Sequence, residues 1–350
     1  MSPQGRFTQL TETADGTRLH LQLAGDWRRP KSAKRYDIWR RSTDGFGQIL
    51  PRPTASEAAA FYLIEDYYTH EPTPRARKTI PLDIWKVLLH LAWRGDRSVE
   101  ADAVWWQRSL GTAQRRCLEV GCGDGANLVL LKEFGHTGCG IEPDPAARAI
   151  ASGRALEVHE GTAEDIPATL AGRRFDCVLL MHALEHTIDP VQAINSAFAL
   201  LDDEGLLVIE VPNNACLGGA TFGACWHWLD VPRHLNFFTP KSLTDLVSAA
   251  GFDLIETAFC GYNRQFSREW AATQTLISQR LGDARGAQTW RYVVLLARTL
   301  FAQPAAKYDS VRILARKPAR PASVPHGRST SPTTLGQPVR QTIGRGLSFV

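Results

Sequence analysis

The chain has 350 residues, 44% of them hydrophobic, and a formal net charge of +4, so it carries enough apolar material for a full core. Arg320, Arg328, Arg340 and Arg345, in a stretch without acids from 318 to 350, account for that excess and leave the rest neutral. This argues against a DNA- or RNA-binding domain, whose basic excess belongs on its folded body.

The N-terminal MSPQGRFTQL lacks the apolar core of a signal peptide. Residues 1–94 read as a leader: loop-rich to about Pro53, then helices over Ala55–Tyr67 and Leu82–Trp93. Arg75, Arg77 and Lys78 form its one basic cluster, read as a solvated loop. The longest apolar stretches, Val87–Trp93 and Tyr292–Ala302, fall short of the ~20 residues that span a bilayer. The 7 cysteines form no CxxC pair, which points to reduced thiols in a cytoplasm and to no zinc site.

A second region, residues 95–317, opens on a helix over Val99–Leu110. From Arg116 onward, short apolar runs alternate with helical patterns. CLEV (117–120), TGCGIEP (137–143), LEVHEG (156–161), FDCVLLM (175–181) and GLLVIEVP (205–212) read as strands. Helices are expected at Ala126–Phe134, Ala146–Ser152 and Val191–Leu201, the last opened by Asp189-Pro190. This alternation predicts a parallel sheet with helices on both faces. Thr239 caps a further helix from Pro240 to Gly251, followed by strands FDLIETAF (252–259) and SVRILARK (310–317). Between them, about Gln265–Gln303 forms a helical insertion. The Trp290, Val293, Val294, Ala297 and Phe301 side of that insertion is expected to pack on the sheet, with lipid or a partner as the alternative. Residues 318–350, rich in Pro, Ser, Thr, Gly and Arg, are expected to be disordered.

The chemistry concentrates in LEVGCGDGANL, 118–128. A dinucleotide site uses G-x-G-x-x-G and rests pyrophosphate on a helix N-terminus. Here the turn is Gly121-Cys122-Gly123-Asp124-Gly125 with Glu119 before it. A carboxylate there repels pyrophosphate and attracts a cation, and S-adenosylmethionine is a nucleotide bearing an amino-acid ammonium. Glu142-Pro143 ends the second strand, where an acid accepts ribose hydroxyls. GTAEDIP (161–167) ends the third, where backbone amides and a polar side chain can meet adenine.

Together LEVGCGDGANL, GIEPDP, GTAEDIP, FDCVLLMHALEH, GLLVIEVPN and PRHLNFFTPKSLTDLVSAAGF resemble the class I S-adenosylmethionine-dependent methyltransferases. The likeness is to the bacterial group that includes ubiquinone-pathway O-methyltransferases and small-molecule tailoring enzymes. It implies a Rossmann-like seven-stranded α/β sheet, order 3-2-1-4-5-7-6, with the last strand antiparallel. It also implies that Glu119, Gly121, Cys122 and Gly123 hold the methionine end, and Glu142 and Pro143 the ribose. Thr162, Ala163 and Glu164 would surround adenine, and Met181, His182 and Ala183 would line the methyl-transfer side. The leader YDIWRRSTDGFGQILPRPTASEAAAFYLIEDYYTHE resembles one in which a zinc-binding element precedes a Tyr-rich helix. Arg41 and Asp44 stand where that pattern has cysteines, so the expectation is a metal-free relic covering the substrate, with Tyr67, Tyr68 and His70 facing it or packing in the core.

Methyl transfer needs an aligned nucleophile and, where required, a base. His182, His186 and His234 are the candidates by residue type. His182 ends a strand and is favoured with His234, whose loop WHWLDVPRHLNFFTP (226–240) is dense in aromatics. That loop suits either an apolar acceptor site or a local core. The expected function is methyl transfer to an oxygen or carbon of a small organic acceptor. A nicotinamide-dependent oxidoreductase and a non-catalytic cofactor-binding or scaffold protein are the alternatives.

Overall fold

The computed structural model describes residues 16–30, 32, 34–62, 82–96, 102–282 and 289–319. The leader, read as loop to Pro53, instead contains β1 (Thr17–Leu23), β2 (Tyr36–Arg41) and β3 (Gly47–Leu50), paired antiparallel in that order. Tyr36, Ile38 and Ile49 turn inward at alternate positions, but such short runs between glycines and prolines are hard to tell from loop. Arg41 Nε donates to Asp44 Oδ1 at 2.9 Å, closing the turn between β2 and β3 where the resemblance has a cysteine pair. Helix α1 (Ala55–Ala60) is capped by Thr54, and α2 (Leu82–Gly95) and α3 (Asp102–Leu110) follow. Tyr67, Tyr68, His70, the cluster Arg75, Arg77 and Lys78, and the tail from residue 320 lie outside the described residues.

The strand–helix alternation continues through β4 (Arg116–Val120), α4 (Ala126–Glu133), β5 (Thr137–Ile141), α5 (Pro145–Gly153), β6 (Glu157–His159), β7 (Phe175–Met181), α6 (Pro190–Leu200) and β8 (Leu201–Pro212). Then come α7 (Leu217–Phe222), β9 (Asn236–Phe237), α8 (Pro240–Ala249), β10 (Asp253–Cys260), α9 (Arg268–Arg280), α10 (Thr289–Thr299), α11 (Pro304–Lys307) and β11 (Ser310–Arg316). The seven-stranded sheet runs β6-β5-β4-β7-β8-β11-β10. It is parallel from β6 to β8, while β11 is antiparallel to both neighbours. This is the expected methyltransferase order.

Both faces of the sheet are covered, as a parallel sheet requires. Leu118 and Val120 join Ile194 of α6 and Leu243 of α8 on one side; Cys117 joins Trp106 of α3 and Leu131 of α4 on the other. Glu119 shares the Cys117 face by strand alternation, which aims a carboxylate at α4. The predicted caps also form: Asp189 accepts from Val191 and Gln192, and Thr239 makes a capping box with Ser242.

A second core lies beside the sheet. Tyr36, Ile38 and Ile49 of the leader pack there with Trp226, Leu229 and Phe237 of the aromatic loop and with Phe266, Tyr292 and Leu296 of the insertion. β9 extends the leader sheet, with Gly47 opposite Phe237 and Gln48 opposite Asn236. The expected apolar side of α10 is reversed: Tyr292, Leu295 and Leu296 are buried, whereas Trp290, Val293 and Phe301 are exposed. α10 packs on α7 and α2 rather than on the sheet. Among the described residues, no helix is long and apolar enough to cross a membrane.

Candidate functional site

The C-terminal end of β4 turns at Gly121 with φ +74°. A Cβ there would sit 2.7 Å from Ala183 Cβ, so glycine lets the turn approach the end of β7. The Gly121 and Cys122 amides both donate to Ile141 O, at 2.8 and 3.1 Å, tying the turn to β5. Cys122 packs its thiol into the core among Leu128 and Leu131, so at this position only the backbone belongs to the turn. Gly123, with φ +55°, has open space where a side chain would stand.

Glu119 is 1% exposed. Its Oε1 accepts from Asn127 Nδ2 at 2.6 Å, while Oε2 is buried without a hydrogen-bond partner. Burial raises its pKa to about 8, despite the Asn127 contact, and the neighbouring Glu142 and Asp124 charges add to the rise. A buried acid in that state gains most from an arriving cation. This orphaned oxygen fits the ammonium end of S-adenosylmethionine. Asp124, the second acid of the turn, is consumed locally: Oδ1 accepts from the Ala126 amide at 3.1 Å and Oδ2 pairs with Arg154 at 2.9 Å.

Glu142 accepts one backbone amide on each oxygen, from Gly123 and Asp144, both at 2.8 Å. Burial raises its pKa, against the pull of these amides. Each carboxylate oxygen keeps acceptor capacity for a diol. Pro143 is exposed, and its carbonyl accepts from Arg148 Nη1 at 2.6 Å. Thr162 Oγ1 closes a turn onto the Asp165 amide at 3.0 Å, and Ala163 sits in the sheet core. The Glu164 carboxylate accepts from the Ile188 amide at 2.7 Å. These three residues shape the turn after β6, and the Glu164 side chain is directed to the segment before α6.

Beyond Met181, His182 adopts φ +52°, a conformation rare for a residue with a side chain. Its ring stacks on Trp228 at 4.8 Å and 7°. Nε2 lies 3.1 Å from Glu210 Oε1, and Nδ1 lies 3.4 Å from Glu185 Oε1 without hydrogen-bond alignment. Burial disfavours the charged ring, but the two glutamates outweigh it and raise His182 to about 9. Arg312 Nη2, 2.6 Å from Glu210, helps to hold that carboxylate ionised. The two glutamates thus favour the protonated ring, the form that has no lone pair with which to take a proton.

His186 and His234 meet edge to face, 4.7 Å between ring centres. His234 Nδ1 is 2.7 Å from Trp228 O, and His186 Nδ1 is 3.0 Å from Arg233 O. A carbonyl only accepts, so the contact with Trp228 O puts the hydrogen of His234 on Nδ1, whereas His186 Nδ1 also faces the Tyr62 hydroxyl at 2.8 Å, which can donate to it or accept from it. Burial lowers His234 to about 4, and the nearby His186 pushes in the same direction. Glu185, 1% exposed with neither oxygen hydrogen-bonded, completes the cluster. Glu185, His186 and His234 bring ligand atoms within 4.8 Å of one another, a spacing that also suits a cation.

The residues that sequence reasoning missed come mostly from outside the nucleotide motifs. Tyr62, just past α1, places its hydroxyl 2.8 Å from His186 Nδ1. Arg52 Nη1 donates to Leu235 O at 2.7 Å and Nη2 to Thr187 O at 3.2 Å, joining the turn after β7 to the aromatic loop. Most of that loop is core, leaving half-buried Trp228 against His182. Asn127, also missed, lies inside the glycine-turn motif and carried a local signal, since it stands in the first turn of the helix that follows Glu119.

Residues 93–257 match the family model described as a methyltransferase domain. The chain is 33% identical over 153 residues to a ubiquinone biosynthesis O-methyltransferase of Cereibacter sphaeroides, covering 40% of this chain and 61% of that protein. It is 30% identical over 175 residues to the protein of the same name from Dinoroseobacter shibae, covering 47% of this chain and 69% of the relative. The chain thus spans about 61% of the first relative's length. A solved S-adenosylmethionine-dependent methyltransferase from Archaeoglobus fulgidus is similar at TM-score 0.44 and 20% identity, over 66% of this chain and 99% of that one. By the Dinoroseobacter match, the family model and the strand order, the chain belongs to the class I S-adenosylmethionine-dependent methyltransferases.

Proposed function

We propose that this protein transfers the methyl group of S-adenosylmethionine to a hydroxyl oxygen of a small organic acceptor. The observation that carries the reading is the buried Glu119 Oε2, unpartnered in an acid-flanked glycine turn. A dinucleotide phosphate would be repelled there, whereas an ammonium would be held. The names of the two relatives speak of O-methylation, which supports oxygen as the receiving atom.

Glu119 would hold the methionine ammonium, Glu142 the ribose hydroxyls, and the turn over Thr162, Ala163 and Glu164 would surround adenine. Gly121, Cys122 and Gly123 offer backbone to the methionine end, Pro143 flanks the ribose, and Met181 and Ala183 border the methyl side. The cofactor supplies an already activated methyl group, so the protein chiefly binds, orients and moves a proton. His182, held as a cation by Glu185 and Glu210, would line the methyl-transfer side. His234, whose burial keeps its ring neutral, would be the group that takes a proton, with His186 packed against it.

Titration calorimetry with S-adenosylmethionine and with NADH tests the cofactor. Mass spectrometry of hydroxybenzoates incubated with trideuteromethyl cofactor tests the transfer. Binding of NADH alone would overturn the proposal. Cofactor binding with no methylation across the panel would favour a non-catalytic cofactor-binding protein.

A further inference from the structure

We propose that the outward faces of α2 and α10 form a docking surface for an anionic phospholipid layer, on which the protein lies without crossing it. The two helices pack on one another and turn their buried side chains, Leu88 and Ala92 of α2 and Tyr292, Leu295 and Leu296 of α10, into the same second core. Gly95 ends α2 so close to Leu300 that a Cβ on it would stand 2.8 Å from Leu300 Cδ2, which brings the C-terminal ends of both helices together.

What these helices leave outside is apolar. Val87, Leu91 and Trp93 of α2, Val293 and Val294 of α10, and Phe301 just beyond it are exposed, Trp93 by 67% and Phe301 by 90%. Away from this pair of helices, the large exposed apolar side chains of the described residues are spread singly over α3, α5, α6 and α9, with one adjacent pair on β10. Scattered apolar side chains are ordinary on a protein surface, whereas a group on two packed helices marks an interaction face.

Charge names the partner. Lys86, His90, Arg94 and Arg298 are exposed among these apolar side chains, and neither 86–95 nor 290–301 contains an acid. Val87, Leu91 and Arg94 stand at i, i+4 and i+7, as do Val294, Arg298 and Phe301, so each helix carries cationic and apolar groups on one stripe. The next acid along the chain, Asp96, accepts from Asn263 Nδ2 and Tyr308 Oη. A second copy laid face to face would set Lys86, Arg94 and Arg298 against their own kind with no acid to answer them, and like charges resist such a docking. The chain's own segment 318–350 is equally unsuited, since it holds Arg320, Arg328, Arg340 and Arg345 and no acid. An anionic lipid surface answers both features: its phosphates attract the cations, and the boundary between headgroups and acyl chains takes Trp and Phe. Lys and Arg stems reach from that apolar plane to the headgroups. Neither helix is long and apolar enough to cross the layer, so the contact is interfacial.

The test is flotation of the full-length protein with vesicles of phosphatidylcholine alone or mixed equally with phosphatidylglycerol. Wild type should float with the mixed vesicles and not with phosphatidylcholine, and raised salt should release it. Trp93→Ser combined with Phe301→Ser should weaken the partition at least ~10-fold, and Arg94→Gln combined with Arg298→Gln at least about fivefold. These side chains are exposed, so both variants should melt with wild type. Val191→Ser, at an exposed apolar position of α6, should leave the partition unchanged. In wild type, brominated acyl chains should quench tryptophan emission, and Trp93→Phe should reduce that quenching. Equal flotation with the two vesicle types, no flotation with either, or quenching unchanged in Trp93→Phe would overturn the proposal. So would flotation that survives in the two face variants and is lost when Arg320, Arg328, Arg340 and Arg345 are all changed to Gln, since the tail would then be the anchor. A wild-type dimer in sedimentation velocity that Trp93→Ser with Phe301→Ser splits would assign the face to a second copy instead. None of these readouts depends on methyl transfer.

Discussion

Arg233 donates from Nη1 and Nη2 to the two carboxylate oxygens of Asp26, at 2.9 and 2.8 Å, with its side chain wholly removed from water. The same guanidinium lies 2.9 Å from Asp230, which also binds Arg28 and the Trp27 indole. A leader residue therefore fixes the loop that carries His234, and whose Arg233 carbonyl orients His186.

Removing one member of a buried ion pair strands the other charge, at a cost of ~3–5 kcal/mol. Asp26→Ala should destabilise the protein by that order in urea denaturation. Arg28→Ala, on a partly exposed partner of Asp230, should cost distinctly less. Equal losses for the two variants would show that Asp26 is not the anchor.

Glu119→Gln should weaken S-adenosylmethionine binding ~10- to 100-fold in calorimetry, the scale of a charge-assisted hydrogen bond. The apo-protein should respond oppositely. Because burial raises Glu119 to about 8, its contribution to stability is greatest below the unfolded carboxyl value and is lost as pH rises towards 8. Wild-type Tm should therefore fall more steeply from pH 5 to 8 than that of Glu119→Gln. Parallel slopes would mean that Glu119 is ionised in the apo-protein.

His182, raised to about 9 by its glutamates, titrates in the other direction in charge. Its stabilisation is fully present below the unfolded imidazole value near ~6.5 and is lost as pH rises through 9. An NMR titration should find the ring protonated at pH 8. Glu210→Gln should lower the midpoint, since it removes the nearer carboxylate. A ring that titrates near its ordinary value in wild type would restore His182 as a base candidate.

Gly121→Ala should fold with a disordered turn and bind the cofactor at least ~10-fold more weakly, from left-handed backbone strain of ~1–2 kcal/mol and the clash with Ala183. Gly111→Ala, also at positive φ but with open space around it, carries the strain without the clash and should leave cofactor binding intact. Loss of binding in both variants would mean that strain alone is responsible.

The parallel strands were legible because CLEV and FDCVLLM are buried on both faces and so read as short, mostly apolar runs. Glu119 and Glu142 were legible because the ends of consecutive strands and the helices after them are close in sequence. The leader strands were not, since β3 finds part of its pairing in Asn236–Phe237, far along the chain. The aromatic loop was ambiguous for a related reason: Trp226 and Phe237 are core only because the leader and insertion close over them.

By itself, the sequence determined the order of strands and helices and the acid-flanked glycine turn, because periodicity, caps and a β–turn–α unit are local physics. Tertiary structure decided the surroundings of the three histidines. His182, His186 and His234 are the same residue type, and the difference between them lies in partners brought from elsewhere: Glu210 for one, Tyr62 and Arg233 O for the second, Trp228 O for the third. Protonation depends on burial and on charges within a few ångströms, and folding alone sets both.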